Sequence, residues 1–219
     1  MTLWWAAAVA WAEIPLPSYS VAVADAERAA AFLALDRICP EDRFGHVHVC
    51  GDGADALVAR IDAWQVAVFP QPGLAYLGAL TRRYQGRNSE AMARYRTTLK
   101  LDPNSEAAWY DLGELLLLES RLDEAERAFE EVSRLRPGGS NAWLGPWRLA
   151  EVAAYRHDPI GLDRHMREAL RRGFSFDVVK DLPNWARFYA DPPLRDTLRK
   201  LLTVYATPEL LTEFDRAAP

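Results

Sequence analysis

Strand signal is nearly missing from this chain. Apart from the short alternation His46-Val47-His48-Val49, no segment alternates apolar and polar residues over a strand's length. That argues against a sheet-built fold. An excess of positive charge is also missing. The 26 Lys and Arg are outnumbered by 31 Asp and Glu, and the net charge of −5 argues against a nucleic-acid binder, which would carry a basic patch. No apolar run reaches the roughly 20 residues that a helical membrane span needs. The motifs of nucleophilic, zinc-hydrolytic and dinucleotide chemistry (G-x-S-x-G, H-E-x-x-H, G-x-G-x-x-G) do not occur. Gly51-Asp52-Gly53 is no phosphate loop, because no Lys-Ser/Thr follows it. Of the four histidines, His157 stands beside Asp158-Pro159 at a helix end and His165 lies on a polar helix face, neither with a nucleophile at motif spacing. The carboxylates sit mostly among basic residues, as in Asp123-Glu124 and Glu126-Arg127, the pattern of solvated helix exteriors. These absences predict a non-enzymatic protein with no cofactor.

What is present is helix. With 219 residues and 50% hydrophobic content the chain can bury a sizeable core. Aromatics make up 11%, and most of the eight Trp read as helix-packing positions rather than a binding cage. The clearest stretch is Ser105–Pro137, two amphipathic helices joined at Ser120-Arg121. Trp109, Leu112, Gly113 and Leu116 share one face of the first helix, and Ala125, Phe129 and Val132 one face of the second. Gly113 and Ala125 are small where two antiparallel helices must pack closely, and Pro137 ends the unit. A shift of 34 residues carries Pro137 onto Pro103, Phe129 onto Tyr95, Ala125 onto Ala91, Gly113 onto Ala79 and Ser120 onto Gly86; forwards, Trp109 falls on Trp143.

This pattern of an aromatic residue, Leu-Gly, Ala, Phe and Pro at fixed offsets resembles the tetratricopeptide repeat family. The match is strong over Pro72–Pro137 and partial over Ser140–Gly173, where Trp147 takes the Gly position and the closing Pro is missing. The expected fold is all-α, a tetratricopeptide-like solenoid of antiparallel helix hairpins with a C-terminal helical cap. Its expected parts are an apolar N-terminal segment (1–24), a degenerate leading hairpin with a cysteine-containing loop (25–70), repeats over 71–173 (about 72–105, 106–139 and a degenerate 140–173), and capping helices over 174–219. The hairpin helices are expected over Ala24–Leu35, Ala54–Phe69 (Leu57, Ile61 and Trp64 inward), Gly73–Tyr84, Ser89–Leu101, Asn141–Tyr155 and Gly161–Arg172, with Ser105 as an N-cap. In the tail, Asp181-Leu182-Pro183, Asp191-Pro192-Pro193 and Thr207-Pro208 mark off short helices. The strongest is Leu194–Tyr205, placed to cover the array's last apolar face.

Two stretches carry competing readings. Met1–Ala12 ends in Ala10-Trp11-Ala12 and resembles the apolar core and cleavage site of a secretory signal peptide, although no Lys or Arg precedes it; Ala22-Val23-Ala24 offers a second cut. Its alternatives are an apolar segment docked on the first helices and an uncleaved anchor. Export predicts a periplasmic or cell-envelope protein; the alternative is cytoplasmic. Cys39 and Cys50, the two cysteines of the chain, flank one loop. Their readings are a disulfide in an exported protein, two unpaired thiols, or a metal site of His46, His48 and Cys50 with Cys39 as a fourth ligand.

The resemblance also implies where a partner sits. Family members bind ligands through the second, fifth, ninth, twelfth and thirteenth positions of each repeat, on the concave side. In this sequence those positions give Tyr76, Leu80, Arg83 and Tyr84 in the first repeat and Tyr110, Glu114, Leu117 and Leu118 in the second. In the third they give Asn141, Leu144, Arg148, Glu151 and Val152. The Lys/Asn clamp that grips a C-terminal carboxylate is absent, since Tyr76 and Leu80 stand at its first positions. The implied partner is a protein or peptide segment of apolar or aromatic character, with an acidic group for Arg83 or Arg148. The runner-up is a metal- or redox-responsive protein that uses the Cys39–Cys50 loop.

Overall fold

The computed structural model describes residues 21–41, 48, 50–67, 71–178 and 186–217. The leader reading of Met1–Ala12, the proline-punctuated Glu13–Ser20, His46, the Trp64 side chain and the break at Asp181–Pro183 lie outside the described residues. Among those described there is no strand, only an isolated antiparallel bridge between Glu41 and His48. Among the described residues no helix is long and apolar enough to cross a membrane. The chain divides into two compact units, Met1–Pro103 and Asn104–Pro219.

The first unit contains α1 (Val21–Ile38), α2 (Ala54–Ala67), α3 (Pro72–Tyr84) and α4 (Asn88–Leu101). The candidate cut at Ala22–Ala24 falls within the first turns of α1. Leu57 and Ile61 of α2 point inward as expected and meet Leu77 and Leu80 of α3, together with Leu35 and Cys39. α3 is buried on nearly every side because α1, α2 and α4 all pack on it. It carries a charge into that interior. The Arg82 guanidinium donates to Asp62 on α2 (2.5 Å), to the Gly78 carbonyl (3.0 Å) and to Glu90 on α4 (3.4 Å), while Asp62 also pairs with Arg94 at 3.0 Å. A buried guanidinium is tolerated only when so many acceptors replace its water.

The second unit contains α5 (Glu106–Leu118), α6 (Leu122–Leu135), α7 (Leu144–Tyr155) and α8 (Pro159–Arg171), each packed on the next. Gly113 explains how close α5 and α6 come. A Cβ there would stand 2.6 Å from the ring of Phe129, which is 0% exposed. Ser105 occupies the N-cap position of α5, but its side chain makes no cap hydrogen bond. The turns between helices are marked by left-handed residues: Gly86 (φ 73°), Ser120 (φ 58°) and His157 (φ 55°). Ser120 follows Gly86 by 34 residues, yet His157 follows Ser120 by 37. The third hairpin thus runs three residues behind the 34-residue frame. The extra length is taken up by the turn through Gly138, Gly139 (φ 84°) and Asn141 (φ 63°), so α7 begins at Leu144 rather than Asn141. There the backbones of α6 and α7 nearly touch, for a Cβ on Gly145 would stand 2.6 Å from the Ser133 nitrogen.

Beyond α8, a 3-10 turn at Phe176–Val178 leads to α9 (Ala186–Ala190), α10 (Pro192–Tyr205) and α11 (Pro208–Arg216). Leu194, Leu198, Leu201 and Leu202 of α10 lie on one face as expected. They join Leu162, Met166 and Ala169 of α8 in a single core. Phe174 packs between Trp143 and Trp147, with centroids 5.5 and 6.2 Å away, and on Phe176 at 5.5 Å. The aromatic content of this part is therefore spent on closing the array. A cavity of about 260 Å³ lies in the cap between Phe176, Tyr189, Leu202, Leu210 and Phe214.

The close approaches lead to a graded stability prediction. Gly113→Val and Gly145→Val should each lower the unfolding free energy by about 1–3 kcal/mol, the usual cost of overpacking. Gly138→Ala, whose Cβ meets nothing within 4 Å, should change it little. Urea-unfolding midpoints of the three variants measure the difference.

Candidate functional site

In the first unit the family-derived positions form a stripe on α3, with Tyr76, Leu80 and Tyr84 one turn apart. This stripe is not open. Leu80 is buried, and Tyr76 and Tyr84 are half-buried against the cluster of Leu35, Cys39, Ala54, Leu57 and Ile61. Tyr76 lies 5.8 Å from the Tyr95 ring, centroid to centroid. The His48 ring stacks on Tyr84 with centroids 3.6 Å apart, and its Nδ1–H donates to the Cys39 carbonyl at 2.7 Å. Arg83 is half-buried beside the stripe. The sulfurs of Cys39 and Cys50 stand at bonding distance, 2.07 Å. Among the described residues no group of three His, Cys, Asp or Glu side chains is placed to hold a metal ion.

In the second unit the expected residues converge. Arg148 of α7 reaches back to α5. Its Nε and one terminal nitrogen donate to the Tyr110 hydroxyl at 3.1 and 3.0 Å, and the same nitrogen donates to Glu114 at 2.8 Å. The other terminal nitrogen pairs with Glu151 one turn along α7. The guanidinium carbon stands 4.1 Å from the centre of the Trp147 ring. Arg148 is only 12% exposed, and Glu151 less. Burial by itself would weaken the proton's hold on this guanidinium, but Glu151, Glu114 and Tyr110 outweigh it and raise its pKa. Burial pushes the Tyr110 hydroxyl up to about 12, and Glu114 adds to the shift while Arg148 opposes it. Most of the Arg148 donors are engaged within the chain, so an acidic partner group at this position would have to displace a carboxylate.

The other positions separate. Leu117 turns into the core, whereas Leu118, next to it, is 70% exposed. Asn141 is exposed in the left-handed turn before α7, Leu144 is half-buried at the helix start, and Val152 is buried. With the 37-residue spacing, Trp147 and Glu151 of α7 correspond to Tyr110 and Glu114 of α5. Trp147 is the site residue that the 34-residue frame passes over. The signal that locates it is Asp158-Pro159, a cap and first-turn proline that fixes the start of α8.

A family profile described as "Tetratricopeptide repeat" matches residues 76–140. Residues 76–140 thus carry the tetratricopeptide repeat pattern. The chain is 29% identical over 83 residues to tetratricopeptide repeat protein 37 of Xenopus laevis, a match that takes in 38% of this chain and 5% of that protein. The chain thus spans only a small part of that relative's length. It shares its fold with a solved structure, the MamA RS-1 ArsTM double mutant, at a TM-score of 0.59 and 14% identity, over 87% of this chain and 93% of that one. The all-α, tetratricopeptide-like solenoid fold expected from the repeat pattern is the fold observed, and it is the architecture of a protein-interaction scaffold.

The raised Tyr110 pKa predicts a pH dependence. Between about pH 10 and 12 the unfolded chain loses the phenolic proton while the folded chain keeps it, so stability falls as pH rises through this window. The loss attributable to Tyr110 is about 2 kcal/mol by the linkage relation. Denaturant unfolding at pH 10 and pH 12 should show a smaller loss in Tyr110→Phe than in the unaltered protein.

Proposed function

We propose that this protein is a non-enzymatic scaffold that holds a protein segment against the helix face formed by α5 and α7, and that it works in the cell envelope. The observation that carries the reading is the convergence of Tyr110, Glu114 and Arg148, from two different repeats, into one braced polar cluster with the exposed Leu118 a turn beyond Glu114. Bracing keeps the side chains in fixed rotamers, which lowers the entropy lost on binding. The half-buried Tyr110 and the exposed Leu118 supply aromatic and aliphatic surface, the material of interface anchors. The partner is therefore an apolar or aromatic peptide segment. The acidic-group contact expected for Arg148 is dropped, because Glu114 and Glu151 already occupy that charge.

A photoreactive residue at Leu118 should yield a covalent adduct with a partner in the native host, and one at Glu130, exposed on α6, should not. Leu118→Glu should abolish co-purification of that partner while the melting temperature stays within a degree or two, as expected for an exposed position. Adducts at Glu130 alone would place binding on the opposite helices and overturn the groove reading.

The envelope part rests on the Cys39–Cys50 pair, since disulfides persist in oxidising compartments, and on the signal-like Met1–Ala12. Intact mass of the protein taken from its native host without reductant tests it. A chain shortened at its N-terminus and lighter by two hydrogens until reduced supports export. A full-length chain with free thiols moves the protein to the cytoplasm.

A further inference from the structure

We propose that the Cys39–Cys50 pair is a thiol–disulfide latch that decides whether α1 covers the Tyr76–Leu80–Tyr84 stripe of α3. The inference rests on the disulfide reading given above and goes beyond it, from a bond that marks a compartment to one that controls a surface. Three observations carry it.

The covered residues occupy the same helix positions as Tyr110, Glu114 and Leu118 on α5, of which Leu118 is open to solvent. The α3 stripe is the more apolar of the two, and it is the one already occupied from within the chain. Next, the described side chains of α1, residues 28–38, are lightly packed. Among its described side chains only Leu35 is fully buried, while Phe32 and Leu33 are 54% and 57% exposed. Ala31, Ala34 and Ile38 contribute partial contacts. Over residues 28–38 so little buried apolar surface gains little from the neighbouring helices. Last, the bond stands at the joint. Cys39 directly follows α1, Cys50 lies just before α2, and the sequence separation between them is 11. With the bond made, the end of α1 is fixed to the start of α2. With it broken, the joint keeps only non-covalent ties, among them the Gly51 N–H donating to the Ile38 carbonyl at 2.8 Å and His48 donating to the Cys39 carbonyl. His48, two residues from Cys50, stacks on Tyr84 and bonds the Cys39 carbonyl, so the same joint also holds the last residue of the stripe.

The chemistry is ordinary thiol–disulfide exchange. Cys39 is fully buried and Cys50 half-buried, so a thiolate of an external dithiol attacks the Cys50 sulfur. The Cys39–Cys50 bond breaks, Cys39 leaves as a thiolate and takes up a proton, and a mixed disulfide forms at Cys50. The second thiol of the reductant then resolves it, releasing Cys50 as a thiol and the reductant as its own disulfide. Two electrons pass from the dithiol to the protein.

The test compares the full chain, oxidised and then treated with dithiothreitol, by hydrogen exchange and by nitration of tyrosine. Amides of α1 should exchange faster on reduction by on the order of a hundredfold, the closure entropy of so short a loop expressed as a rate ratio. Tyr76 and Tyr84 should become more reactive, while α3, α4 and the whole second unit keep their protection. The double variant Cys39→Ser/Cys50→Ser should behave as the reduced protein without reductant. Unchanged exchange in a chain shown by mass to carry the bond overturns the latch and leaves the disulfide standing. Loss of protection throughout α1–α4 also overturns it, since the bond would then hold the entire unit rather than its cover. Free thiols in the oxidised chain overturn the disulfide reading and the latch together.

Discussion

The contact between the Phe129 ring and the bare Cα of Gly113 sets the spacing of the second hairpin, and much of the second unit follows from it. With no Cβ in between, α6 lies close enough for Tyr110 to meet the Phe129 ring edge-on at 6.1 Å, which leaves the phenol hydroxyl at the other end of the side chain directed at α7. Gly145 repeats the device between α6 and α7, where backbone meets backbone. Close packing has little slack to take up an added methyl, so these positions tolerate little added volume.

The polar cluster is the consequence of that spacing for chemistry. A guanidinium removed from water must find acceptors inside the protein, and Arg148 finds three side chains on two helices. It links successive hairpins through directional bonds where the surrounding core offers only shape. Arg82 does the same in the first unit, between α2, α3 and α4. Each unit thus sets an arginine, Arg82 or Arg148, among acceptors where its helices cross.

The hairpins were legible because their signals are local. Small residues at Gly113 and Ala125, the aromatic Phe129 and the closing Pro137 are spaced by helix geometry, and helix geometry is fixed. The α10 face of Leu194, Leu198, Leu201 and Leu202 was readable for the same reason. The third hairpin was read three residues out of frame, because its extra length sits in a glycine-rich turn that breaks the period without leaving a hydrophobic mark. The covering of Tyr76, Leu80 and Tyr84 by α1 and the Cys39 joint was invisible, since it depends on residues more than 30 positions apart whose own helix lacks a strong apolar stripe. The engagement of Arg148 was invisible too. Position on a helix face shows that a charge is near the surface, and only the neighbouring helix shows whether the charge is already answered.

Helix starts differ along the chain, and the difference bears on how the molecule could be rebuilt. No side-chain cap hydrogen bond opens α3 to α7, whereas α8, α10 and α11 each begin with an Asp or Thr that accepts a backbone N–H and is followed by proline. Uncapped helices take their boundaries from what they stack on. Capped ones carry their boundaries in three or four residues of their own. The last hairpin helix and the tail are therefore a transferable terminator, a segment that should close a different stack of hairpins with its ends intact. The helices upstream would need their neighbours carried along to keep theirs.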